Sequence, residues 1–508
     1  MQNMTKQSLI IFFALFLWQT SFAAESIDMK EGVARFEAKD YVDAAHYFHR
    51  ASYRSKDPKE ALKAKYYLAI ALYNLRLYQA SAFPLISVAS KLENNLGKKA
   101  FDRLVNISDK LNDQSVLNYS LSKITVADLS ETGEELFYNR LAESQFNQGE
   151  TEQALATLKK AFIKNQNNEE TLFSLGLYSL RSGDTKKGVF YFEKLSSMYA
   201  DKKVNDPKRG IALINLARAY YQDKRWEEAI STYRQIPKDN KLYRKSLNEL
   251  TWALFRKGRL RSALSTVQTL HSPFYENFFE PESLIMRSII LLLICQHTEL
   301  EKAIKTYENN FMPAYTSIAL WNSELRKADD AYKEIELAQG QLKNPVPLVQ
   351  YKGKLPFFLV RTLIQEPPIS TRLKYTRIIF NESQVFSRYF RDKKYSTLRR
   401  YGQKIYANRL RYSKREMGDL LNQQVLNKER ELEDYAGQLD FLKYELTNGL
   451  KNDAKRKIEL ASEMTPNKEK RGRAFYIQNG YRYWPFEGEY WRDEIGNSQY
   501  IGVNRCEK

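Results

Sequence analysis

This 508-residue chain predicts an all-α fold: a solenoid of helical hairpins, a basic helical and coiled-coil region, then a short aromatic C-terminal tail. The first observation behind this is a repeat. Ala154, Gly188, Ala229 and Ala263 recur at intervals of 34, 41 and 34 residues, and Ala303 follows 40 further on. Each has an apolar residue thirteen positions before it, an aromatic or aliphatic one eight before, and an apolar one four after. The units read Leu141, Phe146, Ala154, Leu158; Leu175, Leu180, Gly188, Phe192; Leu216, Tyr221, Ala229, Tyr233; and Leu250, Phe255, Ala263, Val267. Ile290, Cys295, Ala303 and Tyr307 fill the same places in a fifth. A fixed period of this length marks an array in which no unit buries its apolar face alone. The second observation lies near the C-terminus. Leu421, Val425, Lys428, Leu432, Tyr435, Leu439, Leu442 and Leu446 alternate by fours and threes with only Lys428 polar. Such a heptad seam predicts a coiled-coil hairpin or a dimer.

The elements follow in chain order. Residues 1–24 read as a signal peptide: Lys6 begins it, Leu9–Trp18 is an unbroken apolar run, and Ser21, Phe22 and Ala23 end it. That run is too short to cross a bilayer core of about 30 Å. The mature protein is therefore expected to be exported and periplasmic, either soluble or peripherally membrane-associated. Residues 25–133 form N-terminal helical repeats. Ala44, Phe48 and Ala51 fit the pattern with Phe36 and Tyr41, whereas Ser81 takes the small-residue place in Leu68–Leu85. Two irregular helices, Lys98–Leu111 and Val116–Ile124, continue the stack.

Residues 134–340 are the main solenoid. Its two longer spacings contain Ala200–Arg209 and His271–Pro281, proline-bearing stretches that read as inter-unit loops. Pro345, Pro347, Pro356, Pro367 and Pro368 mark residues 341–370 as a hinge or extended linker. Residues 371–465 carry basic helices and the coil. Pro466 stops the helix, and Phe475–Trp491 in the tail, 466–508, holds eight aromatics in seventeen residues.

The small residue has a physical role. Two antiparallel helices cross closely only where a side chain is missing, and the 3.6-residue apolar stripe around it stacks on the next unit. Gly149, Gly183 and Gly258 fall five residues earlier, where the first helix ends and glycine accepts a left-handed cap. This pattern resembles the tetratricopeptide repeat over roughly residues 28–90 and 134–311.

Composition narrows the function. The net charge is +19, and fourteen Lys or Arg face four acidic residues between Arg372 and Asp419. In an exported protein such charge points to anionic lipid, peptidoglycan carboxylates or acidic proteins, and not to nucleic acid. The stretch 372–415 interleaves nine aromatics, so a helix with a solvated cationic face and an aromatic core face is the favoured reading, compatible with a dedicated anionic-surface site. Cys295 sits at an apolar helix position, where a buried free thiol is the ordinary outcome, with a bridge to Cys506 as the alternative. Nucleophile-elbow, dinucleotide and zincin signatures are absent from the sequence, and no cofactor is expected. His46 and His49, three apart, lack a third ligand nearby, so no metal site is expected.

The tetratricopeptide resemblance implies a concave groove lined by the first helix of each unit. The residue six after the leading apolar position faces it: Asn147, Arg181, Gln222, Arg256 and Gln296. All five donate hydrogen bonds, which suits an extended or acidic peptide. Arg218 and Trp252 take the neighbouring inward position and are anchor types at interfaces. The tail Trp484–Gly496, together with the stretch Tyr67–Phe83, is similar to exported tetratricopeptide-repeat proteins of deltaproteobacteria, among them components of the adventurous gliding-motility (Agl/Glt) envelope complex. That likeness implies a non-enzymatic periplasmic scaffold. The alternative is a cell-wall glycan-binding or glycan-cleaving protein that uses the aromatic tail, where Glu487, Glu489, Asp493 and Glu494 lie among aromatics.

Overall fold

The computed structural model describes residues 26–90, 95–121, 131–275, 278–324 and 326–463, with Leu129, Gly496, Tyr500, Asn504 and Cys506. The signal-peptide segment and the aromatic motif of the tail lie outside these residues. The helices are α1 (Ile27–Glu37), α2 (Tyr41–Arg54), α3 (Pro58–Asn74), α4 (Tyr78–Ala89), α5 (Asn95–Leu111), α6 (Ser115–Leu121) and α7 (Glu131–Asn147). Next come α8 (Thr151–Lys164), α9 (Glu169–Arg181), α10 (Thr185–Ser197), α11 (Pro207–Gln222), α12 (Trp226–Tyr233), α13 (Tyr243–Arg256) and α14 (Leu260–Leu270). The series ends with α15 (Pro281–Leu293), α16 (His297–Ser323), α17 (Ala328–Lys343), α18 (Phe357–Gln365), α19 (Ile369–Tyr389) and α20 (Ser396–Glu463). No strand occurs among the described residues.

Local chemistry starts and stops these helices. Asp57 and Asp206 each accept two backbone N–H groups at a helix start, with Pro58 and Pro207 at the first helical position. The Asp206-Pro207 pair thus closes the expected inter-unit loop by opening α11. Pro281 also opens α15, there without a side-chain cap. At the hairpin turns, Gly149, Gly183 and Gly258 have φ of 86°, 87° and 79°, the left-handed conformation their place requires. Lys39, Arg76 and Lys224 hold the same place in three other hairpins at φ of 61°, 60° and 61°. Ala154, Gly188, Ala229 and Ala263 are buried at the crossings. A Cβ added at Gly188 would collide with Leu180, its partner in the repeat pattern.

The fifth unit departs from expectation. Its left-handed turn residue is Cys295, at φ 52°, two residues before α16 begins. The place held elsewhere by Ala154 therefore falls on Leu300, three residues before Ala303. Ala303 is buried, but one turn away from the turn-defined position.

By internal contacts the chain forms two compact units, Met1–Glu134 with Thr371–Ser413, and Glu135–Ser370 with Lys414–Lys508. In the first, Met29, Ala44, Phe48, Leu68 and Leu72 share one core with Phe386, Phe390, Leu398 and Tyr406. The basic segment 371–413 is thus a helical hairpin completing the N-terminal repeats, whereas the sequence had grouped it with the coil.

In the second unit the heptad seam meets a partner within the chain. Leu421, Val425, Leu432, Leu439, Leu442 and Leu446 are all buried. Polar pairs tie α20 to α16 in antiparallel order: Asn422 with Trp321 (3.0 Å), Glu429 with Asn322 (2.7 Å), Lys443 with Glu308 (2.8 Å) and Asp453 with His297 (2.6 Å). Buried Leu300, Ile304, Tyr307, Phe311, Ala314, Ile318 and Trp321 on α16 carry the matching four-three spacing. Lys428, the polar member of the seam, pairs with Glu431 and lies over the Phe279 ring. The expected hairpin or dimer is replaced by a coil formed inside one chain, because α16 already presents an uncovered stripe of the right period.

The expected linker contains structure too. In α18, Phe357, Leu359, Val360, Leu363 and Ile364 are buried, and Phe358 stacks on Phe279. The buried Glu334 carboxylate accepts the N–H groups of Lys354 and Leu355 just before it. Pro356 precedes this helix and Pro367 and Pro368 follow it. Cys295 is not a free thiol: it bonds Cys506, with the Cα atoms 5.3 Å apart. Nearby, Tyr500 and Gly496 donate backbone N–H groups to Ser265 (2.7 Å) and Thr269 (3.2 Å) on α14. No described helix is long and apolar enough to cross a membrane.

Candidate partner-binding groove

The groove expected from the sequence draws on the ends of α7, α9, α11 and α13 in the second unit. Asn147, Arg181, Gln222 and Arg256 are each the last residue of one of these helices. All four are exposed. They make a row of one donor per repeat, beside the hairpin turns. The hairpin-turn residues explain this row: each stands two positions before a left-handed residue. Arg256 is the most engaged of them, with Nε 3.4 Å from the Tyr221 hydroxyl.

Gln296 does not join the row. It is buried and forms the N-cap of α16. With Cys295 as the turn residue, the matching place is Leu293, which is 49% exposed. The shift of three residues in the fifth unit accounts for the difference.

Arg218 and Trp252 point to neighbours inside the chain. Arg218 makes a two-pronged ion pair with Glu249 of the next unit, at 2.8 and 2.5 Å. Burial works against its charge, and the carboxylate more than offsets that, leaving its pKa above the ordinary arginine value. The Tyr233 hydroxyl also donates to Glu249, at 3.1 Å. Trp252 Nε1 donates to Glu282 at 3.0 Å, and Asn248 donates to the same carboxylate at 2.7 Å. Arg140 spans the first interface, reaching Glu170 at 2.6 Å. These pairs pin successive first helices together. The acids Glu170, Glu249 and Glu282 were missed from sequence. Each lies 30 to 31 residues after its donor, close to one repeat period, and that spacing was the available signal.

His46 and His49 lie in the first unit, against Tyr395 and Tyr401. Burial lowers both pKa values, His49 to about 4, so both are neutral core residues near pH 7. No group of three metal-ligating side chains occurs among the described residues.

The fold and the pinned hairpins define a helical-repeat protein. Residues 140–164 and 191–246 match models of the tetratricopeptide repeat. No curated protein matches it significantly. Similar solved structures include a tetratricopeptide repeat protein from Parabacteroides merdae, at 14% identity over 56% of this chain and 92% of that one, TM-score 0.27. The C-terminal part of a TPR repeat-containing protein from Cytophaga hutchinsonii aligns at 13% identity over 56% and 95%, TM-score 0.29. A Rap protein complexed with Competence and Sporulation Factor aligns at 14% identity over 71% and 99%, TM-score 0.31.

Proposed function

We propose that this protein is a non-enzymatic scaffold of the cell envelope that holds an extended acidic protein segment along the rim of its second unit. The supporting observation is the row Asn147, Arg181, Gln222 and Arg256, four exposed donors repeated at the ends of successive first helices. Two of the four are cationic. A partner chain lying across the units meets one donor per repeat, and the pinned Arg218 and Trp252 keep that spacing rigid.

Export is part of the proposal. A bond between Cys295 and Cys506 belongs to an oxidising compartment, in line with the signal-like segment 1–24. The basic segment would rest on an anionic envelope surface, and membership of an envelope-spanning assembly of the gliding-motility kind follows from the resemblance of the tail. Cell fractionation tests the location: recovery in the cytoplasm with reduced cysteines would refute it. For the rim, the probe is a fluorescent Glu/Asp-rich extended peptide, with a Lys-rich peptide of equal length as control. The full chain should bind the acidic peptide selectively. The double variant Arg181→Glu, Arg256→Glu should weaken binding by roughly a hundredfold, about tenfold per lost charge-assisted contact. Unchanged affinity in a folded variant would overturn the rim assignment.

A further inference from the structure

The basic hairpin of α19 and the first part of α20 carries two kinds of cation, and only the structure separates them. Some are neutralised by carboxylates within the first unit. Arg372 pairs with the buried Asp113 at 2.7 Å, Arg409 approaches the same carboxylate at 3.9 Å, and Lys394 pairs with Asp43 at 2.8 Å. The others face out. Lys374, Arg377 and Arg388 lie on one side of α19, and Arg400, Lys404 and Arg411 on one side of α20, all exposed. Their successive spacings of three and eleven residues, and of four and seven, keep each set in a single stripe opposite the buried side chains. The one acid of α19, Glu382, is buried on the core side, so it does not oppose the α19 stripe, and the exposed Asp392 lies in the turn between the two helices. Apolar surface lies among these charges: Phe380 and Tyr412 are each 53% exposed.

We propose that this outer face docks on an anionic lipid bilayer. The inference rests on the envelope location and on no property of the groove. Charge complementarity selects an anionic partner. The half-exposed Phe380 and Tyr412 suit a bilayer, because aromatic rings gain from the headgroup boundary. The α20 stripe from Arg400 to Arg411 runs about 16 Å along a rigid helix, a span that meets several headgroups at once. Binding of this kind weakens as salt screens it, with a Debye length of about 8 Å at physiological ionic strength.

The test is co-sedimentation of the full chain with vesicles of phosphatidylcholine alone or with about one-third phosphatidylglycerol. The expected result is binding to the anionic vesicles only, falling as salt rises. The variant Lys374→Glu, Arg377→Glu, Arg400→Glu, Lys404→Glu should lose at least about a hundredfold in partitioning, since each basic side chain near the surface contributes roughly fivefold. All four side chains are exposed, so its circular dichroism should match the parent protein. Phe380→Ser should weaken binding severalfold with the charge unchanged. Equal binding to neutral vesicles, or full binding by the four-charge variant, overturns the proposal. Capture by purified peptidoglycan with no vesicle binding overturns it in favour of a wall polymer. The rim variant Arg181→Glu, Arg256→Glu should bind vesicles normally, so failure of the groove reading and failure of this one are distinguishable.

Discussion

Glu382 is the residue whose surroundings matter most to the first unit. The start of α4 has no side-chain cap of its own. Glu382, 303 positions away, accepts the Gln79 N–H at 2.7 Å, and the Tyr406 hydroxyl donates to it at 2.6 Å. Burial nevertheless dominates and raises its pKa to about 7. An acid whose pKa is higher folded than unfolded holds extra protons in the native state. Its effect is most favourable below about pH 4.5 and fades as pH rises through 7. The wild type should therefore lose stability between pH 5 and 8, by on the order of 2–3 kcal/mol relative to Glu382→Gln, in urea titrations. Parallel pH curves for the two proteins would show that the carboxyl stays ionised throughout. The turn residues give a second prediction at this scale. Lys224→Gly relieves a left-handed conformation and should stabilise the second unit by about 0.5–1 kcal/mol, whereas Gly183→Ala should destabilise it by about 1 kcal/mol. Shifts of the opposite sign in urea midpoints would contradict the turn assignment.

Among the elements, the antiparallel pair of α16 and α20 decides how the second unit is closed. Its two stripes share a four-three spacing and bury each other, so the seam is satisfied within one chain. Leu432→Ala or Leu439→Ala should cost about 2–5 kcal/mol, the ordinary range for a buried leucine. Neither should change the molecular mass seen in sedimentation. A drop from dimer to monomer on substitution would mean that the seam pairs between chains. Half of this arrangement was legible beforehand: the heptad on α20 stands out because its four-three repeat runs through a stretch dense in Glu, Lys and Arg. Its partner was hidden, since α16 also serves as the second helix of a repeat and its stripe reads as ordinary core. The basic hairpin was obscured similarly, because an aromatic core face and a cationic outer face give the same composition whichever body covers the core face.

At the scale of the molecule, the bond between Cys295 and Cys506 closes a loop of 211 residues. It ties the chain end to the turn before α16, within the second unit alone. Reduction, or Cys295→Ser, should lower the stability of that unit by about 2–4 kcal/mol and leave the first unit unaffected. Hydrogen exchange followed separately in α2–α4 and α13–α16 would read the difference. Equal loss of protection in both regions would show that the two units do not unfold independently.

What the amino-acid order settled alone is periodic or local: the hairpin repeat, its buried small residues, the left-handed turns and the donors two positions before them. Such features need only neighbours within one or two turns of helix. The tertiary structure decided what covers what. Glu382 at the start of α4, Arg372 on Asp113, α20 on α16 and Cys506 on Cys295 join residues 100 to 300 positions apart. An apolar stripe or an unpaired charge states that a partner is needed, but hydrophobic burial is non-directional and leaves the partner's identity to the fold.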